Sequence, residues 1–270
     1  MELQSLRDRK PARKMAEIPK EVLESLSYGS IPTKNLTEWL AVDRQRLFEV
    51  VVKQLGLGGK KVAEQLWTDE LMNQSALKKS FAIGRWLHEQ IKVGDKFWKE
   101  VSIHESDVVR EWAAIVVGMS SELTFARKLA WIKSFADDEN AGLREIAWMA
   151  LRPDVAREPI DSIRCLAPWT GSRAERLRRF ASEITRPRGV WTSHIALLKE
   201  KPELGLSILE PLKSDDSKSV KDSVGNWLND ASKSKPDWVR DVVQRWLKKT
   251  DSSHTEYIAK RALRTLNSQN

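Results

Sequence analysis

Four segments repeat one pattern, and the spacing between them limits what this chain can become. "VVREWAAIVVG", "GLREIAWMALRP", "RLRRFASEITRP" and "SVKDSVGNWLND" each place an apolar residue, then a basic one, then apolar residues at helical spacing. The basic position falls at Arg110, Arg144, Arg178 and Lys221, in steps of 34, 34 and 43 residues. "SALKKSFAIGRWL" reads as an earlier unit and "YIAKRALRTL" as a later one. One amphipathic helix pair cannot bury its own apolar face, so units of this length must stack and share a core.

The pattern predicts an all-α chain: a HEAT-like helical repeat solenoid with a basic concave face, the alternative being an irregular helical bundle. No run alternates apolar and polar residues over six positions, and no Asn-Gly or Asp-Gly turn occurs. In "VVREWAAIVVGM", Val109, Trp112, Ala113 and Val116 fall on one helical face. The same reading suits "LTEWLAVDRQRLFEVVVKQL" and "DWVRDVVQRWLKK". Polar stretches such as "GLGGKK", "DDEN", "SDDSKS", "ASKSKPD" and "TDSSH" punctuate the helices, and several offer Ser or Asp N-caps. Residues 1–270 are read as one repeat domain, with 1–18 as a flexible or partly helical N-terminal segment.

Charge narrows the partners. Lys and Arg outnumber Asp and Glu by 46 to 38, which favours a polyanion. The 12 Trp are expected to fill the core for the most part, leaving a few for stacking. Cys165, the single cysteine, fits a reducing compartment and a buried site. "MELQSLRDRKPARKM" lacks the apolar run of a signal peptide and no stretch is apolar enough to span a membrane, so a cytoplasmic chain is expected. His88, His104, His194 and His254 are scattered, without zinc-ligand spacing. No phosphate loop, dinucleotide fingerprint or nucleophile elbow is present, so no cofactor or metal is expected.

Residues 173–188 carry Arg173, Arg176, Arg178, Arg179, Arg186 and Arg188 against Glu175 and Glu183. Stacked units would line such residues into a stripe able to track a phosphate backbone. Arg110, Arg144 and Arg178 are expected instead to pair with an Asp of the neighbouring repeat. Arg186 and Arg188, beside the helix breaker Pro187, are expected at phosphate. Glu145, Glu183 and Asp230 are the carboxylates set among apolar residues of the repeat helices.

"REIAWMALRP", "RRFASEITRPRGVW", "SVKDSVGNWLND" and "RALRTL" resemble the AlkC/AlkD-type DNA alkylation-repair glycosylases built from HEAT-like repeats, and most resemble the AlkC branch. "TKNLTEWLAVDRQRL" is similar to that branch as well, whereas residues 50–105 match only as generic repeats. The resemblance implies excision of positively charged alkylated bases, such as N3-methyladenine, by a monofunctional hydrolase. It implies Glu183, Glu145 and Asp230 as active-site carboxylates, and Trp191 and Trp148 at the base or sugar. Arg186, Arg188, Arg152, Arg261 and Arg264 would contact the DNA backbone. The implied partner is double-stranded DNA containing alkylated bases, bound by a monomer. Two departures stand out: "GLRE" has Arg144 where a small residue is expected before Glu145, and the immunoglobulin-like C-terminal domain of some relatives is not expected here.

The chemistry suits these residue types. A cationic alkylbase leaves without protonation, so no catalytic His is needed. A carboxylate can stabilise the oxocarbenium-like sugar and orient water, and an indole face can meet the cation. A non-catalytic DNA binder of the same repeat type, or a helical protein scaffold, remains as an alternative.

Overall fold

The computed structural model describes residues 3–57, 66–189, 191–249 and 251–268. The described residues form helices, short 3-10 turns and loops, with no strand among them. Part of "GLGGKK", residues 58–61, lies outside them. The chain divides into two compact units, residues 1–123 with 138–150, and residues 124–137 with 151–270.

The first unit holds α1 (Leu3–Arg7), α2 (Lys20–Ser27), α3 (Leu36–Ala41), α4 (Arg44–Leu55), α5 (Asp69–Met72), α6 (Ala76–Gln90), α7 (Lys96–Ser102) and α8 (Asp107–Met119). α4 packs on α6, and α6 on α8. Leu47, Phe48, Ile83, Leu87, Val108 and Trp112 are fully buried between them. The apolar stripe expected in "VVREWAAIVVGM" is the buried face of α8. "LTEWLAVDRQRLFEVVVKQL" is not one helix but two. Asp43 accepts the Arg46 N–H at 3.0 Å, and this N-cap starts α4 afresh after Val42.

The second unit holds α9 (Phe125–Ala136), α11 (Pro159–Leu166), α12 (Glu175–Ile184), α13 (Ala196–Glu200), α14 (Leu206–Leu212), α15 (Lys218–Ser232), α16 (Pro236–Lys249), α17 (Ser253–Ala262) and α18 (Arg264–Asn267). α10 (Ala141–Arg157) carries residues of both units. α12 packs on α15, and α15 on α17, burying Val220, Val224, Trp227, Leu228 and Ile258. Ser217 and Ser252 cap α15 and α17, as the polar punctuation predicts. Cys165 is only half-buried, because it sits toward the open side of the short helix α11.

The repeated arginine has a defined structural task. Arg110 donates through Nη1 to the carbonyls of His104 and Glu105 at 2.8 and 3.0 Å. Arg144 does the same to Asp138 and Glu139 at 2.6 and 2.8 Å, and Arg178 to Ser172 and Arg173 at 3.0 and 3.1 Å. Each reaches six and five residues back, so it fastens the loop entering its own helix. Arg110 and Arg178 also bind an Asp before the next repeat helix: Asp138 at 3.2 Å and Asp215 at 2.6 Å. The aspartates in turn accept the N–H of Asn140 and of Ser217. Lys221 departs from the pattern. A lysine offers a point charge and no fork, and its Nζ lies 3.0 Å from His254 Nδ1, over the Tyr257 ring.

Candidate active site

Two repeats of the second unit send carboxylates to one guanidinium. Glu183 lies on the last turn of α12, and Asp230 near the end of α15. Arg186 follows α12 directly, where Pro187 stops the helix by lacking an N–H and by disfavouring helical backbone before it. Its Nη1 donates to Glu183 Oε1 at 2.6 Å, and its Nε and Nη2 to Asp230 Oδ2 at 2.9 and 2.8 Å. Ser223 of α15 donates to Glu183 Oε2 at 2.7 Å, and Arg179 stands 3.9 Å from the same oxygen. Asp230 Oδ1 has a looser neighbour, Lys233 at 3.5 Å.

Burial and charge oppose each other here. Glu183 is 6 % exposed and Asp230 3 %. Burial pushes the Glu183 carboxyl up, but Arg186, Arg179 and the Ser223 hydroxyl outweigh it and hold the group below the ordinary carboxylate range. Burial likewise lowers Arg186, and the charges of Glu183 and Asp230 more than restore it. The result is a triad with two carboxylates for one guanidinium, in which Glu183 is held ionised. It can stabilise positive charge that develops next to it.

The expected phosphate role of Arg186 needs correcting. The side chain is 8 % exposed and its donors are committed to the two carboxylates, because charges this deep are stable only when paired. Arg152 needs the same correction. It is 1 % exposed and donates to the carbonyls of Ile184 and Arg186, both at 2.6 Å, and of Ser193 at 3.2 Å. Burial and the Arg186 charge lower its pKa to about 10. It clamps the loop after α12 from beneath.

That loop carries the indole. Ile195 N–H donates to the Pro187 carbonyl at 3.0 Å and ties Ile195 back to the residue that ends the helix. Gly189 has no room for a Cβ against Thr192 and Arg152. Trp191 has a φ of 61°, the left-handed region that a bulky residue avoids at a cost of about 1–3 kcal/mol. Its side chain is 73 % exposed. Most other tryptophans, including Trp98, Trp112, Trp227 and Trp246, are core residues. His194, also on the loop and exposed, is held below the ordinary imidazole range by desolvation and by Lys199, Arg188 and Arg152.

Arg188 is half-buried and donates to the Asp230 carbonyl at 3.2 Å and to Ser234 Oγ at 2.8 Å. Arg261 binds Asn226 at 3.1 Å and Asp222 at 3.3 Å, while Arg264 is exposed and binds Asn229 at 3.0 Å. Glu145 belongs to the first unit and accepts the indole N–H of Trp148 at 2.8 Å. Trp148 is buried, which leaves its ring packed and does not offer it to a ligand.

One charged cluster was not singled out in the sequence. In the first unit, Glu111 on α8 accepts from Trp39 Nε1 at 2.5 Å and from Ser80 Oγ at 3.3 Å. Ser80 also accepts from Arg44 Nε at 3.1 Å. Asp107 accepts from the Thr33 backbone N–H at 2.7 Å and its hydroxyl at 2.6 Å. Burial raises Glu111 to about 8, against the pull of Arg44. The signal was available: "VVREWAA" puts Glu111 at the repeat position of Glu145 in "GLREIAW".

No helix among the described residues is long and apolar enough to cross a membrane. The chain resembles solved helical-repeat proteins. One is the Pseudomonas fluorescens alkylpurine DNA glycosylase AlkC bound to DNA containing an abasic site analog, with a TM-score of 0.68 and 26 % identity over 84 % of this chain and 63 % of that one. Another is AlkD2 from Streptococcus mutans, with a TM-score of 0.59 at 23 % identity over 76 % of this chain and 97 % of that one, a likeness of fold. Half of the chain is 38 % identical to an uncharacterized protein, YhaZ of Bacillus subtilis, and spans 38 % of its length. The family model for DNA alkylation repair enzymes matches residues 1–266, and the chain belongs to that family.

Proposed function

We propose that this protein is a monofunctional DNA glycosylase that hydrolyses the N-glycosidic bond of positively charged alkylated bases such as N3-methyladenine. The observation that carries the reading is the convergence of Glu183 and Asp230 on Arg186, in a chain that continues from Arg186 to the exposed and strained Trp191. As the C1′–N bond breaks, its electron pair neutralises the cationic base and the positive charge passes to the sugar. Glu183, with each oxygen already hydrogen-bonded, supplies a fixed negative field for that charge. Asp230 Oδ1, the less engaged oxygen, orients the water that adds to C1′ and relays its proton to solvent. Trp191 meets the cationic base, a contact worth about 0.5–2 kcal/mol. Arg188, Arg261 and Arg264 contact the backbone. Glu145, held by Trp148, is a third candidate carboxylate on the strength of the sequence resemblance.

The test is release of methylated base from alkylated duplex under single-turnover conditions. Wild type is expected to release a cationic methylpurine, and Glu183→Gln and Asp230→Asn to lose about 10²–10³-fold in rate. Normal release by both variants would discard these roles. Tight binding of alkylated duplex without release would favour a non-catalytic binder, a reading the neutralising bond of Arg186 to both carboxylates also permits.

A further inference from the structure

Residues 8–14 of the first unit, "DRKPARK", form no helix, yet they are fastened along their length. Arg9 donates to both oxygens of the buried Glu38, at 3.1 and 2.5 Å, and to the carbonyls of Leu6 and Pro32 at 2.6 and 2.8 Å. Glu38 also takes the Lys34 N–H at 2.8 Å. Asn35 Nδ2 donates to the Ala12 carbonyl at 2.8 Å, and Thr37 Oγ1 to the Arg13 carbonyl at 3.4 Å. The segment is therefore tied to residues 32–38 by the Arg9 side chain and by the main-chain carbonyls of Ala12 and Arg13.

One cation of the segment is spent inside. Lys10, Arg13 and Lys14 are exposed, and so is Lys34 on the facing stretch. Lys14 has Glu17 at 3.9 Å, both well exposed, a contact worth little. No ion pair joins Lys10, Arg13 or Lys34 to a carboxylate among the described residues. Burying the Arg9–Glu38 pair is costly and holds like charges together, so the arrangement gains the fold little. What it creates is a set of exposed cations on a backbone ordered in advance, so that binding carries a smaller ordering cost. From Lys10 to Lys14 the chain reaches at most about 14 Å, a length over which one DNA strand presents several phosphates. The Arg13 fork suits a phosphate bidentately.

We propose that Lys10, Arg13, Lys14 and Lys34 form a DNA phosphate-contact surface on the first unit, separate in residues from the carboxylate triad. The proposal rests on the DNA alkylation-repair reading. The test compares wild type with the triple variant Lys10→Gln, Arg13→Gln, Lys14→Gln in the full chain. Binding to a short undamaged duplex is followed by fluorescence anisotropy between about 50 and 200 mM salt. The slope of log Kd against log salt is expected to fall by about 2–3, near 0.9 for each lost contact. Affinity at the upper salt concentration is expected to weaken tenfold or more, with the thermal midpoint unchanged. Wild-type slope and affinity in the variant, with wild type still binding DNA, would overturn the surface and leave the glycosylase reading intact. A loss confined to phosphatidylserine vesicles, with DNA binding unchanged, would overturn it equally. Wild type that binds no duplex at all would remove both readings together.

Discussion

Each unit contains a buried group of two carboxylates and an arginine, and the two groups behave oppositely. In the second unit, Arg186 bonds Glu183 and Asp230 directly, and Glu183 stays ionised below the ordinary carboxylate range. In the first, Arg44 spends its bonds on Ser80 and on the carbonyls of Trp39 and Val42. Glu111 receives no direct guanidinium bond, and burial raises it to about 8. The residue types are nearly the same. What differs is whether a donor fork meets the carboxylate, and that decides between a charged Glu183 able to act on a cation and a hydrogen-bonded Glu111 that keeps its proton. Trp191 is exposed on the loop that follows Arg186, whereas the indole of the first group, Trp39, bonds to Glu111 itself and lies over Arg44.

The comparison breaks most sharply at Arg186. Arg186→Met would leave two buried carboxylates without their counter-ion, making the second group resemble the first. A loss of about 3–5 kcal/mol in stability at neutral pH is expected, measured by denaturant unfolding. The loss should shrink as the pH falls and Glu183 takes up a proton. An Arg186→Met protein as stable as wild type would mean that the triad is not held as described.

Glu111→Gln tests the other half. Folded Glu111 keeps its proton to about pH 8, while the unfolded chain gives it up near 4.5, the ordinary glutamate value. Between those values the folded state binds more protons, so wild-type stability falls as pH rises. Gln mimics the protonated form, so the variant should match wild type near pH 5 and exceed it above pH 8 by on the order of a few kcal/mol. Glu183 has the reverse sign: its contribution is present above the unfolded carboxylate pKa and is lost as pH falls through its lowered value. An equal effect of Glu111→Gln at pH 5 and pH 9, seen in thermal melts, would show that Glu111 is not the buried acid.

The smallest effect is the most local. Trp191→Ala should slow release of a cationic methylpurine about 3–30-fold, the range of one cation–π contact. It should leave folding unharmed, because the ring is in solvent and alanine keeps the Cβ that sets the strain at this φ, so that strain is the same in both proteins. No change in release would detach the indole from the site.

Part of the geometry around the candidate site was legible along the chain. Pro187 marked the end of α12, which left Glu183 on the last turn and carried Trp191 away from the helix. The aspartate partners of Arg110 and Arg178 followed from the repeat. Arg186 and Arg152 read as surface cations and are buried, and Trp148 read as a ligand contact and is core. Glu111 and Glu145 occupy matching places in "VVREWAA" and "GLREIAW", yet Glu111 is fully buried and bonded to a residue 72 positions earlier.

The sequence by itself determined what depends on neighbours along the chain. Those properties are the helices, their apolar faces, the repeat, the serine and aspartate caps, and the break at Pro187, because all follow from local backbone geometry and from a period of a few residues. Tertiary structure alone decided which charges turn inward and which stay ionised. Arg186 is buried only because Asp230 arrives from the next repeat, 44 residues on, to share it with Glu183. Whether a buried carboxylate keeps its charge depends on the donors within hydrogen-bond reach, and those are set by the packing of one helix on another.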